Sequence, residues 1–414
     1  MTEIKNVLVY MLEFPTTHFI SAWRAVRKTG HILAFVITED SIGFGEGTPY
    51  GATLISDYSY ALKLVRSVMD LKLEEGLKVL RELQFELFES KKPLYEMHFG
   101  SFLALESALL DALAKVRRTS VAEVLGGVYR ADIPVAGTVF LDHPLKMVER
   151  VRWWLERGVK HLKLKIPCDI NALELYLNVI TSKTRLKEED ITLRVDANEC
   201  FKELDKAYKA LQIMGKYGVD IVEQPMPRDR LKEMAKLRKT FSPKIKIMLD
   251  ESLTKPQDLE TFATMEVADI VNFHPSKLGC LSITRDAILY ANKLGLQAQI
   301  GSSLMTEVGL IHYLNLSASI PRLDYPLEEV GIHQFYNEYG ILRKDQTITS
   351  LYTIENGSLK LLPVILPALD FQKIRKFVKT RREYLLDIAL HIFREGFRRL
   401  PERTVINTIF VRRK

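Results

Sequence analysis

From Ile133 onward, short β-rich runs alternate with amphipathic helical stretches, and few folds accommodate that alternation. Parallel strands need long crossover connections, which helices supply, so the pattern predicts a parallel sheet flanked by helices. Strands are expected at Ile133–Phe140, His161–Ile166, Ile191–Asp196, Val219–Glu223, Ile245–Asp250, Ile270–Phe273 and Leu296–Ile300, with an eighth near Arg322–Tyr325. Eight such units with short connections, and no Gly-rich phosphate loop after any strand, point to an α/β fold, a closed (β/α) TIM-type barrel. An open nucleotide-binding sheet is the weaker alternative.

The chain before Tyr129 lacks this alternation. Strands are expected at Lys5–Leu12, His31–Thr38 and Ile42–Glu46, followed by helices around Tyr58–Met69, Leu73–Phe88 and Phe102–Val116, an α+β arrangement. The expected organisation is an α+β domain over residues 1–130, a barrel carrying the active site over 131–326, and a basic helical extension over 370–414. Strands at Thr347–Glu355 and Leu359–Val364 are expected to return and complete the first domain within about 327–369.

The 414 residues carry a formal charge of +7, from 59 basic and 52 acidic side chains, and much of the excess lies beyond Lys373. That tail has apolar residues at helical spacing, among them Phe377, Tyr384, Ile388 and Phe393, which favours packing on protein over binding nucleic acid. Cys168, Cys200 and Cys280 lie far apart without the short spacing of a zinc or dithiol motif, and are read as reduced thiols. No secretory leader is apparent, and no apolar run approaches the roughly 20 residues that span a bilayer. A cytoplasmic location follows as an expectation.

Side chains at the C-terminal ends of barrel strands line the mouth where chemistry occurs. Here those ends read Lys163-Leu164-Lys165, Asp196-Ala197-Asn198, Glu223-Gln224-Pro225 and Asp250-Glu251-Ser252. Alternation puts both lysines on one strand face. Glu223 follows Asp196 by 27 residues and Asp250 follows Glu223 by 27, one barrel repeat each, so adjacent strands present adjacent carboxylates. Converging carboxylates repel unless a hard cation neutralises them, which makes Asp196, Glu223 and Asp250 the expected ligands of Mg2+, with Mn2+ as the alternative. A divalent cation stabilises the enediolate formed when a proton beside a carboxylate is removed. Lys165, on the neighbouring strand end, is the expected base, with Lys163 and the cation disfavouring its charged form. Solvated strand-end charges are the bland alternative for any one of these residues, and a poor one for four in register.

These words, in this order and spacing, resemble the enolase superfamily, in its muconate-lactonizing and mandelate-racemase-like subgroup, over about residues 1–365. Gly43-Phe44-Gly45-Glu46 and Leu125-Gly126-Gly127 look like that family's capping-domain words. The resemblance implies Lys165 as base, Asp196, Glu223 and Asp250 as metal ligands, and Lys163 and Asn198 as neighbours, with Glu251 beside the last ligand. It also departs from the family. The sixth strand of the subgroup normally ends in a second catalytic lysine, whereas this chain has His274 in Asn272-Phe273-His274-Pro275-Ser276-Lys277.

A histidine titrates near neutrality, so His274 can serve as a second acid/base in a racemisation or epimerisation. It can equally be a hydrogen-bonded pocket residue while Lys165 works alone, as in a lyase of the acid-sugar dehydratase or succinylbenzoate-synthase kind. A barrel without catalysis, whose basic tail binds nucleic acid or a protein, is the reading of another class. The resemblance places substrate selection in a mobile loop at about Phe14–Gly30, where Arg24 is a candidate anion binder, and at Asp324, where related dipeptide epimerases carry acids. Ser302, after the seventh strand, is a candidate for contacting a substrate carboxylate. A small carboxylate substrate and a homo-oligomeric state are expected, and neither membrane nor nucleic-acid partners.

Overall fold

The computed structural model describes residues 2–20, 25–90, 92–184, 186, 190–329 and 353–361. The first unit opens with an antiparallel sheet ordered β1 (Asn6–Ile20), β2 (Ala25–Ile37) and β3 (Ile42–Gly47), in register at Tyr10 with Leu33 and Phe35 with Phe44. Of the expected mobile loop at Phe14–Gly30, the described residues up to Ile20 and from Ala25 continue this hairpin, with Pro15 opposite Lys28, and 21–24 lie outside the described residues. Pro15 is tolerated because β1 is an edge strand whose outer side makes no ladder bond.

Four helices follow, α1 (Leu54–Val68), α2 (Leu73–Glu89), α3 (Phe99–Arg117) and α4 (Val121–Leu125). Every residue of α3 from Phe99 to Ala114 is buried, as expected of a helix apolar on all sides and enclosed by neighbours. Gly43, Gly45 and Gly47 alternate along β3 and share the face against α3. A Cβ at each would run into the α3 backbone at Ala108, Ala104 and Gly100 respectively, so the glycines set how closely strand and helix approach.

The barrel alternates without exception: β4 (Asp132–Val139), α5 (Pro144–Leu155), β5 (His161–Lys165), α6 (Ile170–Lys183), β6 (Thr192–Asp196), α7 (Leu204–Lys216), β7 (Ile221–Glu223), α8 (Leu231–Phe241), β8 (Lys246–Leu249), α9 (Asp258–Thr264), β9 (Ile270–Phe273), the short α10 (Pro275–Leu278) with α11 (Leu281–Lys293), β10 (Gln297–Ile300), α12 (Glu307–Ala318) and β11 (Leu327–Glu329). The strands are parallel in the order β10-β9-β8-β7-β6-β5-β4-β11. The seam between β10 and β11 is closed by Gln299 Nε2 donating to Pro326 O at 2.8 Å and by the Asp324 and Tyr325 amides donating to Ala298 O at 3.2 Å. This is the TIM-type barrel with an α+β N-terminal domain. Ile221, Met248 and Ile270 form an apolar plug inside it, with Tyr325 packed beneath.

Two expectations are corrected here. The eighth strand is Leu327–Glu329, not Arg322–Tyr325; Arg322–Tyr325 forms the turn before it, where Pro326 ends the closing hydrogen bonds. The boundary at 326 therefore cuts a barrel strand away from its barrel. The return strand β12 (Ser358–Lys360) pairs antiparallel with β4, Ser358 opposite Pro134, so it extends the barrel sheet and not the first unit. The basic extension, and the larger part of the Thr347–Glu355 strand, lie outside the described residues.

Two acids join the first unit to the barrel. Glu46, at the end of β3, accepts from the backbone N–H groups of Thr306 and Gly309 at 2.8 and 2.9 Å, satisfying free amides in the first turn of α12. Glu106, in α3, accepts from the Ser282 N–H at 3.2 Å and from its hydroxyl, doing the same for α11. Gln84 of α2 accepts from the Cys280 N–H at 2.8 Å. Among the described residues no helix is long and apolar enough to cross a membrane.

Candidate active site

Strand register decides which side chains meet. Lys165 pairs with Asp196, and Asp196 with Glu223, so the three share one layer at the mouth. One step deeper, Lys163 pairs with Arg194. Both layers point inward because side chains two residues apart share a strand face.

The deeper layer is an ion network. Lys163 Nζ lies 2.9 Å from Asp196 Oδ2, 3.0 Å from Glu223 Oε1 and 3.1 Å from Glu328 Oε1. Arg194 reaches Glu328 Oε2 at 2.9 Å and approaches Glu223 Oε2 at 3.2 Å, and it also donates to Gln299. Asn272 donates to Glu223 Oε1 at 3.0 Å. All of these groups are buried. Burial opposes the charge on Lys163, but Asp196, Glu223 and Glu328 hold its ammonium well above the ordinary range. Burial likewise opposes ionisation of Glu328, and Lys163 and Arg194 bring it down to about 2. Lys163 is thus occupied by three carboxylates, a role its expected repulsion of Lys165 did not include.

The upper layer faces a cavity of about 410 Å³ between the barrel mouth and the first unit, lined by Thr29, Tyr50, Lys165, His274, Ser276 and Ser302 among others. Lys165 Nζ donates to Asp196 Oδ2 at 2.5 Å and to Asn198 Oδ1 at 2.9 Å. Asn198 Nδ2 donates in turn to Glu251 Oε1 at 3.0 Å. Lys277 Nζ donates to the Asp250 carboxylate and to its carbonyl oxygen at 2.5 Å, and His274 Nε2 lies 3.2 Å from Asp250 Oδ1. Burial would raise Asp250, yet Lys277 and His274 hold it well below the carboxylate range. Asp196 is lowered against its own burial by Lys163 and Lys165. Lys277 favours the charged form of Glu251 only weakly against the opposing causes. Burial first, then the charges of Asp250 and Asp196, push it up to about 8.

The donor set of Asp196, Glu223 and Asp250 is all oxygen, which suits a hard divalent cation. Glu223 Oε2 is buried and makes no hydrogen bond, only the 3.2 Å ion pair with Arg194, and Glu251 is destabilised as an anion. Both features fit a cation among these carboxylates. A different trio, Glu223, His274 and Glu328, has ligand atoms within 4.8 Å of one another. Lys163 and Arg194 donate into that space, so the trio reads as part of the ion network.

The remaining expected residues divide. Ser302 lines the cavity, with Oγ donating to Ser303 O at 3.1 Å. Asp324 does not: it sits at the opposite mouth, where its Oδ2 accepts from the Ala298 N–H at 2.9 Å and Arg322 pairs with Oδ1 at 2.9 Å. It precedes β11, and residues preceding a strand lie at the barrel's far end from the chemistry. Arg24 lies outside the described residues. Glu328, Arg194 and Lys277 are additions from the structure. Arg194 was detectable by period two, standing two residues before Asp196 on the same face. Cys168 and Cys200 are joined in a disulfide, which corrects the reading of reduced thiols; Cys280 is free and buried.

An eight-stranded parallel barrel with an inward lysine and a row of acids at its C-terminal mouth defines the class, an α/β barrel enzyme whose site is built for handling protons beside charged oxygens. The chain belongs to the enolase superfamily, in its muconate-lactonizing and mandelate-racemase-like subgroup: residues 146–363 match the family model described as enolase C-terminal domain-like. It is similar to an N-succinyl-L-Arg/Lys racemase of Bacillus cereus, 25% identical over 58% of this chain and 64% of that protein, just under two thirds of its length. It is also similar to a chloromuconate cycloisomerase of Cupriavidus pinatubonensis, 26% identical over 80% of this chain and 88% of that protein. Among solved structures, the muconate lactonizing enzyme of Pseudomonas fluorescens superposes with a TM-score of 0.77 at 21% identity, covering 91% of this chain and 100% of that one, a likeness of fold. The chain is accordingly an enzyme of the isomerase type.

Proposed function

We propose that this enzyme removes the proton α to the carboxylate of a small-molecule substrate, with Lys165 as base and His274 as acid/base on the opposite face, giving racemisation or epimerisation. The observation that carries the reading is positional. Lys165 ends β5 and His274 follows β9, four strands apart in an eight-stranded barrel, and the cavity between them is walled by both. Groups so placed approach a flat, deprotonated α carbon from its two sides. Asp196, Glu223 and Asp250 would hold Mg2+, which when bound supplies positive charge for the substrate carboxylate. Asn198 orients Lys165, and the Lys163 and Arg194 network fixes the carboxylates from below and favours the ionised forms of Asp196 and Glu328, while burial and the neighbouring Asp196 still raise Glu223. Gly301 leaves room for the imidazole, since a Cβ there would collide with His274.

A one-base lyase is the second reading, favoured by the contact between His274 Nε2 and Asp250, which engages the imidazole with a carboxylate. Deuterium incorporation from D2O, measured on both enantiomers of a panel of N-acyl amino acids and dipeptides with Mg2+, separates the two. The two-base reading expects Lys165→Ala to lose exchange with one enantiomer and His274→Asn with the other, each by about 10²- to 10⁴-fold. Unchanged exchange in His274→Asn sinks it in favour of one-base chemistry. If calorimetry finds no Mg2+ binding that depends on Asp196, Glu223 and Asp250, the site assignment fails altogether.

A further inference from the structure

The loops after β5 and β6 are joined covalently by the Cys168–Cys200 bond, directly behind the groups assigned above to proton transfer. Cys168 follows Lys165 by three residues and Cys200 follows Asn198 by two. The two loops meet a second time at the Lys165 to Asn198 hydrogen bond of 2.9 Å. Asn198 and Glu199 are consecutive non-glycine residues with φ of +41° and +63°, a backbone state that persists only where its surroundings over-determine it. Upstream the constraints are the Asn198 N–H donating to Asp196 Oδ1 at 2.9 Å and the Glu199 N–H donating to Gln224 O at 2.8 Å. Downstream, Cys200 is buried, donates its N–H to Ala197 O at 2.9 Å, and is anchored sideways to Cys168.

We propose that the Cys168–Cys200 bond is a redox-responsive positioning device, which holds Asn198, and through it Lys165, in the geometry of proton abstraction until a dithiol reduces it. The inference rests on the reading of Lys165 as the base. The exchange is balanced: the dithiol delivers two electrons and two protons, the S–S bond opens to two cysteine thiols, and the dithiol closes to its own disulfide. Cys168 is partly exposed and offers the sulfur that an incoming thiolate attacks, while Cys200 is shielded. Cys280 takes no part. It lies buried under the joint between the two units, and burial, then Glu106, push its thiol well above the ordinary range. Reduction frees the downstream end of the left-handed turn, so Asn198 swings and Lys165 loses its neutral acceptor.

Acetic anhydride labelling of lysines in the full chain, read by peptide mass spectrometry at one fixed pH, tests this without any substrate. Oxidised protein, protein treated with dithiothreitol, and the variants Cys168→Ser and Cys200→Ser are compared. The expected result is a change of about fivefold in the Lys165 labelling rate on reduction and in both variants, with Lys163 protected throughout. Indistinguishable Lys165 labelling rates in oxidised and reduced protein overturn the proposal. So do three titratable thiols in unreduced, denatured protein, and so does a parallel rise of Lys163 and Lys165, which would make the bond a global staple. Because labelling needs no turnover, a negative result here strikes the tether alone, whereas the deuterium experiment strikes the base assignment alone.

Discussion

Buried acids occur in both halves of this molecule, and their surroundings make them different objects. In the first unit Asp57 has, among the described residues, Ser101 and backbone amides as partners of its carboxyl, and burial raises it to about 6. Glu106 is raised for the same reason. At the barrel mouth Asp196, Asp250 and Glu328 are as deeply buried, yet lysines, an arginine and a histidine hold them as anions. Glu46 supplies the control within the first unit: burial raises it, but His31, 2.7 Å away, brings it down. Desolvation is therefore the common condition, and the neighbouring cations outweigh it at Asp196, Asp250 and Glu328 but not at Glu223, where burial and the charge of Asp196 raise the carboxyl despite Lys163 and Arg194. Retaining several ionised carboxylates in a dry barrel is costly in itself, and their use in chemistry accounts for it better than stability does.

That contrast can be broken most severely at Lys163. Its replacement by Met leaves Asp196, Glu223 and Glu328 facing one another without their shared cation, and should destabilise the fold by about 3–5 kcal/mol in urea unfolding. A loss below about 1 kcal/mol would mean that the network is not what keeps these acids charged.

The first unit should respond to pH with the opposite sense. Asp57 is raised in the fold relative to its ordinary 3.8, so its contribution is full below about pH 4 and is lost as pH rises through about 6. The expected loss is about 3 kcal/mol, and Asp57→Asn should flatten that part of the stability profile. An unchanged profile in the variant would place the titration elsewhere. The smallest effect belongs to the exposed pair of Arg117 and Glu74, 2.9 Å apart, where Arg117→Ala should change stability in urea unfolding by less than about 1 kcal/mol, a difference that shrinks as salt is added.

Much of the barrel was legible because a strand and helix repeat writes itself into hydrophobic periodicity, and because charged residues at strand ends interrupt it visibly. Lys165, Asp196, Glu223 and Asp250 were found that way, and the structure brings them to one mouth. Glu328 was missed since its strand has three residues, too few for a period, and follows a turn whose Leu323-Asp324-Tyr325 looked more strand-like. Asp324 was misplaced by the same error, which exchanged the two ends of the barrel. The disulfide was hidden by reading separation as distance. Cys168 and Cys200 are 32 residues apart, and Lys165 and Asp196 are 31 apart. A separation of one barrel repeat is adjacency in space, for sulfurs as for charges. Lys277 was given no role in the sequence, because nothing local signals that it turns back toward Asp250.

The two acids of the joint divide the barrel into unequal inheritances. Glu106 and Glu46 grip α11 and α12, the helices of the very repeats that carry His274 and Ser302, whereas Lys165, Asp196, Glu223 and Asp250 stand on β5 to β8, whose helices neither acid grips. Through these two acids, mutational drift on the first unit is transmitted to the β9 and β10 side of the barrel mouth. A chimera that exchanges first units should therefore disturb the His274 and Ser302 side of the mouth before the Lys165 side.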